Sequence, residues 1–107
     1  MVVLRSEIWM VQLNPSLGSE LKKIRPCVIV SPNEVNKYLN TVTVLPLTST
    51  SKQYPTRVPC VFKNKKGQIA IDQIRTIDKS RLVKKVGVLD RKTILQVANV
   101  IENYFAL

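Results

Sequence analysis

One stretch sets the terms for the rest of this chain: residues Arg91 to Phe105, where apolar side chains recur at helical spacing. Ile94, Val97, Ala98, Ile101 and Phe105 fall on one side, opposite Lys92, Gln96, Asn99 and Asn103, which predicts an amphipathic helix. Asp90 stands ahead of it as N-cap, a negative charge at the positive end of the helix dipole. A helix with one apolar stripe must bury that stripe against something. What precedes it is a series of short strand-like runs.

Residues 7–13 are rich in strand formers and place Trp9, Val11 and Leu13 on one face. Asn14-Pro15-Ser16-Leu17-Gly18 ends that run and opens a polar loop expected to reach Arg25. Cys27-Val28-Ile29-Val30 is continuously apolar and suits a central strand covered on both faces. Ser31 and Pro32 read as cap and first residue of a short helix to about Leu39. Thr41 to Leu47 is the next strand, with Pro46 expected to mark an edge or a bulge. A Ser/Thr-rich loop from Thr48 to Gln53 follows. Strands are expected at 57–62, 68–72, 73–77 and 84–88, with a basic turn at Lys63-Asn64-Lys65-Lys66-Gly67. With no repeat or long linker, residues 1–107 read as one domain, mainly β with α: a small bent sheet or barrel closed by the last helix. Such a fold does not specify a function.

Composition narrows the chemistry. Seventeen Lys and Arg against seven Asp and Glu leave a net charge of +10, which should attract polyanions, nucleic acid first among them. An acidic protein partner is compatible with the same surface, and a basic pI without a binding role is the plain alternative. No apolar run approaches the ~20 residues that span a bilayer. Charge appears too early after Met1 for a signal peptide, so a cytoplasmic location without membrane attachment is expected. There is no histidine, which removes Ser-His-Asp and Cys-His hydrolases, zincins and histidine-pair nucleases. Cys27 and Cys60 lie far apart in apolar stretches with no metal-ligand spacing, so free buried thiols and no metal site or cofactor are expected.

Several strings, taken in order, resemble one family. They are Glu7-Ile8-Trp9, Asn14-Pro15 with Gly18-Ser19-Glu20, Arg25-Pro26 with Val28-Ile29-Val30, Leu47-Thr48-Ser49, and Asp72-Gln73-Ile74-Arg75-Thr76-Ile77-Asp78-Lys79 with Arg81-Leu82. Over more than seventy residues the chain resembles the MazF/PemK (Kid-type) toxins of type II toxin–antitoxin systems. The resemblance implies an SH3-like barrel of the CcdB/PemK kind, a homodimer, and neutralisation by an acidic cognate antitoxin of the MazE/PemI type. It also implies cleavage of single-stranded RNA at short sequences, leaving a 2′,3′-cyclic phosphate and a 5′-hydroxyl.

That chemistry suits the residues present. Attack by the RNA's own 2′-hydroxyl needs no metal and no protein nucleophile. It needs a base, stabilisation of the charged phosphorane, and help for the leaving 5′-oxygen. By resemblance Arg25 and Thr48 are the catalytic pair. A guanidinium grips two phosphate oxygens at once, and a hydroxyl can donate to the developing charge; a solvated arginine and a strand-end threonine are the plain readings. Asp72 and Glu20 are the candidate carboxylates for catalytic support, with Asp72 equally able to fix its loop or bind a base edge. Some family members pair that carboxylate with an arginine two residues earlier and a first-loop histidine. Here those positions are Ala70 and Ser19, which favours the Arg–Thr version of the site.

Ser19, Glu20 and Gln73 are the candidates for base contacts. Arg75 and Arg81 are candidates for the RNA backbone, or for pairing with Asp78. Leu21-Lys22-Lys23 replaces the glutamine and glycines of many relatives, so specificity is expected to differ. The Lys63–Lys66 run is a solvated turn or an electrostatic guide for RNA, and Trp9 belongs to the core or the dimer interface. Two other readings compete: a gyrase inhibitor of the CcdB type, which needs a C-terminal aromatic tip that Tyr104-Phe105-Ala106-Leu107 does not supply, and a barrel that binds without cutting.

Overall fold

The computed structural model describes residues 1–14 and 23–107. In chain order it contains β1 (Glu7–Asn14), β2 (Lys23–Ile29), α1 (Asn33–Tyr38), β3 (Thr41–Thr48), β4 (Arg57–Phe62), β5 (Lys65–Ala70), β6 (Arg75–Asp78), β7 (Leu82–Val88) and α2 (Arg91–Phe105). Single 3-10 turns at Ile71–Gln73 and Lys79–Arg81 flank β6. The strands form one antiparallel sheet in the order β4-β5-β3-β2-β1-β7, with β6 also on β3. The sheet bends into a half-barrel. Its two edges approach so closely that a Cβ on Gly87 of β7 would stand 3.9 Å from the ring of Phe62 in β4.

Period-two alternation sorts the sheet into two buried faces. Trp9, Val11 and Leu13 share one with Cys27, Ile29, Val42, Val44 and Ile77. Ile8, Val28, Leu45, Leu47, Val58 and Ile69 occupy the other, where Val97 of α2 packs with Ile94 and Ile101 beside it. The final helix spans the expected residues, and Asp90 caps it by accepting from Thr93 N (3.1 Å) and Thr93 Oγ1 (2.7 Å).

Four expectations need correction. First, Arg25 lies inside β2 rather than at the end of a loop, because the β1–β2 hairpin keeps pairing out to Asn14 and Lys23. Second, Pro46 is neither at an edge nor in a bulge. β3 is a hub strand, paired with β6 over Thr41–Val44 and with β5 at Leu47 and Thr48. The bond from Val30 N to Thr43 O turns the odd-numbered backbone groups of β3 toward β2. Pro46 therefore points its donor-less nitrogen at the gap between β6 and β5, where no ladder bond is needed. Third, the strand expected at 68–72 starts at Lys65 and stops at Ala70. Lys63 and Asn64, at φ 50° and 64°, make a two-residue hairpin turn of the kind whose twist matches its strands. Fourth, the helix after Pro32 is not capped by Ser31. The Ser31 hydroxyl bonds Asn36 and accepts from Thr43 N at 3.0 Å, tying α1 to β3.

Trp9 belongs to the core, and a carboxylate goes in with it. Glu7 is buried, and its Oε1 accepts from Trp9 Nε1 (3.1 Å) and Leu4 N (2.8 Å). Lys85 closes on Oε2 at 2.8 Å. Burial pushes the Glu7 carboxyl up, but Lys85 and the two N–H donors outweigh it and hold the group below its ordinary value. Its contribution is therefore complete above the ordinary carboxylate range and lost as pH falls through the lower folded value. Glu7→Gln is expected to cost about 2–3 kcal/mol at neutral pH, a buried charged hydrogen-bond set having lost its charge. Urea unfolding at pH 7 and at pH 3 checks this, and the gap between the proteins should narrow at the lower pH.

Candidate active site

The β2–β3 ladder pairs Ile29 with Val44, Val28 with Leu45 and Cys27 with Pro46. Continued by two residues, that register sets Arg25 across from Thr48 on one face of the sheet. Both line a groove of about 370 Å³ together with Ser49, Lys65, Lys66 and Gly67. Arg25 is exposed, yet its strand is not free to move, because Val11 pairs with it on the other side and Cys27–Ile29 are fully buried behind it. Pro26 fixes the backbone between the two.

Thr48 is held just as tightly. A methyl group at Gly67 would lie 2.7 Å from the Thr48 carbonyl oxygen, so only glycine lets β5 approach this residue. Thr48 Oγ1 accepts from Thr50 N at 3.1 Å, which leaves the hydroxyl proton free to donate into the groove. An arginine fork, an oriented hydroxyl donor and two lysines make a site for an anion whose charge is spread over several oxygens. Among the described residues no carboxylate lines it. Cys60, which reaches it from β4, has its thiol pushed up by burial and then by the charge of Asp90.

Arg75 converges on the same face. It stands opposite Val44 on β6, and both Arg75 and Arg25 act on the buried Cys27 thiol. Burial drives that thiol up to about 12 against their pull. Neither arginine nominated for pairing with Asp78 forms that ion pair among the described residues. Asp78 instead accepts from Ser80 N at 2.8 Å and caps the second 3-10 turn. Arg81 donates to the carbonyls of Gln12 (3.3 Å) and Leu13 (3.0 Å), bracing the end of β1. Gln73 is exposed on the first 3-10 turn and is not among the residues that line the groove. Ser19 and Glu20 lie outside the described residues.

Asp72 is the carboxylate whose surroundings differ most from a catalytic base. Arg57 grips it with two bonds, Nε to Oδ1 at 2.8 Å and Nη2 to Oδ2 at 3.1 Å, and Thr56 Oγ1 donates at 2.8 Å. The Arg57 contact chiefly holds its carboxyl down at about 2, and Asp72 does not line the groove. The sequence did not mark Lys65, Lys66 and Gly67 as site residues. The signal it did give was the basic Lys63–Lys66 run, read as a solvated turn or an electrostatic guide for RNA.

The comparisons with known proteins show the family. Residues 4–105 match the model of the PemK-like, MazF-like toxin of type II toxin–antitoxin systems. The chain belongs to that family. A relative from Staphylococcus saprophyticus, Endoribonuclease MazF, is 36% identical over 104 residues, covering 92% of this chain and 87% of the relative. The solved Mycobacterium tuberculosis toxin MazF-mt6 superposes with a TM-score of 0.78 at 28% identity, covering 92% of this chain and 95% of that one. A mycobacterial endoribonuclease solved in complex with its cognate antitoxin shares the fold, with a TM-score of 0.78 at 24% identity over 94% of this chain and 92% of that one. No described helix is long and apolar enough to cross a membrane.

In this member of the MazF-like family, the Arg57–Asp72 pair carries a pH signature of its own. Asp72→Asn is expected to lower stability by about 1–2 kcal/mol at neutral pH. Because the folded carboxyl is depressed, the difference is complete above its ordinary 3.8 and disappears as pH falls toward about 2. Thermal melts of both proteins across pH 7 to 2 read this directly.

Proposed function

We propose that this MazF-like toxin is a sequence-specific endoribonuclease that cuts single-stranded RNA without a metal, through the RNA's own 2′-hydroxyl. The observation that carries the reading is the shared groove, which Arg25 and the oriented Thr48 line together with Lys65 and Lys66. The 2′-oxygen attacks phosphorus as its proton passes to a base. Arg25 holds two non-bridging oxygens of the pentacoordinate phosphorane and Thr48 donates to the charge that develops. The bond from phosphorus to the 5′-oxygen then breaks, that oxygen takes a proton from water and leaves as a 5′-hydroxyl, and the other fragment keeps the 2′,3′-cyclic phosphate. The route needs no metal because the nucleophile is the RNA's own hydroxyl and the developing charge is met by a guanidinium and a hydroxyl donor. With Asp72 committed to Arg57, Glu20 is our candidate for catalytic support.

In this reading Arg75 and Gln73 contact the RNA beyond the scissile phosphate, Ser19 and Glu20 reach it from the first loop, and Arg81 acts through β1. The cationic surface suits an acidic antitoxin that competes for the same charge, and solved relatives assembled with a cognate antitoxin support that partner. The protein acts as a homodimer in the cytoplasm.

Purified protein incubated with a long single-stranded RNA in excess EDTA is expected to give discrete cuts with cyclic-phosphate ends. Arg25→Ala should lower the rate at least about a hundredfold, and Thr48→Ala about a hundredfold, with Thr48→Ser partly active. Melting curves should leave both variants folded. A full rate in Arg25→Ala, or cutting that EDTA stops and a divalent ion restores, would overturn the mechanism.

A further inference from the structure

A second groove, of about 720 Å³, opens beside the first and shares Ser49, Thr50, Lys66 and Gly67 with it as common wall. Its own lining includes Lys52, Tyr54 and Arg57, and among the described residues no carboxylate. The segment that forms it is not an ordinary polar loop. Gln68, nearly buried in β5, clamps Lys52 on both sides of its backbone: Lys52 N donates to Oε1 at 3.0 Å and Nε2 donates to Lys52 O at 2.8 Å. Arg57 N donates to Tyr54 O at 3.1 Å, and Ile71 N to Thr56 O at 3.0 Å. These bonds fix the path of a segment whose side chains from Ser49 to Pro55 are exposed and add nothing to either core cluster.

The side chains are ordered as well. Asp72, which accepts from Thr56 Oγ1, takes the Arg57 guanidinium by two bonds. That guanidinium centre lies 5.4 Å from the centroid of the Tyr54 ring. The ring thus has a cation fixed against it, while the residue remains 53% exposed. A half-exposed phenol ring with a carboxylate-anchored guanidinium held against it is a platform for a flat ligand. Lysines at either hand suit the phosphates attached to it.

We infer that Tyr54, backed by Arg57 and Asp72, stacks a base of the RNA strand one or two nucleotides from the cut, with Lys66 holding the phosphate between the two grooves and Lys52 the next. This rests on the RNA-cutting reading of the Arg25–Thr48 groove and adds a subsite to it. It also gives Asp72 a part in RNA binding that no contact with the reacting atoms requires. Asp72 fixes the arginine, the arginine fixes the ring, and the ring takes the base.

The test is a binding cycle on an oligonucleotide made uncleavable by a 2′-deoxy sugar at the cut, with single abasic positions walked outward from it. In the wild-type protein one abasic position should weaken binding about five- to a hundredfold, the range for stacking one base on an aromatic side chain. Tyr54→Ala should show the same loss on the intact oligonucleotide and no further loss at that position, while Tyr54→Trp restores the wild-type pattern. Tyr54→Leu still covers the Arg57–Asp72 pair but cannot stack, so it should behave like the alanine variant in binding while melting like the wild type. Wild-type affinity in Tyr54→Ala and Tyr54→Leu, or losses that add at every abasic position, would overturn the platform. Cleavage of unmodified RNA by the wild-type protein is scored separately. Its absence sinks the nuclease reading, whereas cutting with no Tyr54 effect sinks only the platform.

Discussion

Everything in this fold hangs on β3, the one strand with three partners. Along one edge it runs beside β2. Along the other it leaves β6 after Val44 and joins β5 at Leu47. That exchange needs a residue with no N–H to satisfy in the gap, and Pro46 supplies it. The same register that buries Val44 and Leu45 without exposure delivers Thr48 to the strand end beside Arg25. Core packing and site geometry are therefore one constraint: a slip of one residue in β2–β3 would carry Val44 and Leu45 each to the opposite core and put Arg25 and Thr48, the proposed catalytic pair, out of register.

The acidic residues explain how a basic chain comes to have a clean cationic groove. Glu7 is spent on Trp9, Leu4 and Lys85, and Asp72 on Arg57 and Thr56. Asp78 caps a 3-10 turn and Asp90 caps α2. Each of these four is committed to a structural partner within its own neighbourhood. The lysines and arginines that remain without such partners at the groove are those that set its field. In a groove with low-dielectric walls, that field falls off less steeply than it would over open surface.

Much of this was legible in the sequence because its signals are local. The last helix, its Asp90 cap, and the face shared by Trp9, Val11 and Leu13 follow from periodicity, and the family strings led to Arg25 and Thr48. What could not be read depends on contacts between distant residues. Arg57 is an ordinary strand residue until the fold sets it against Asp72, fifteen positions on. Lys65 and Lys66 look like turn lysines until the two-residue turn at Lys63 and Asn64 draws them into β5. The end of the expected loop, Lys23 to Arg25, belongs to β2, whose partner β1 is separated from it in sequence by a polar stretch with no strand pattern.

The chemistry itself follows from what the chain lacks. Without histidine it has no side chain whose ordinary titration lies near neutrality. The described groups with large shifts move away from that range rather than toward it: Asp72 sits at about 2, held by Arg57, and Cys27 at about 12, held by burial. A guanidinium stays charged at every working pH and a threonine hydroxyl stays neutral. In the proposed reaction the pair would therefore stabilise the phosphorane without moving a proton of its own, a contribution set by geometry before the RNA arrives. For such a site rigidity serves where titration cannot. This is why Arg25 stands within a paired strand rather than on a loop, and why Gly67 is needed to let β5 close against the backbone of Thr48.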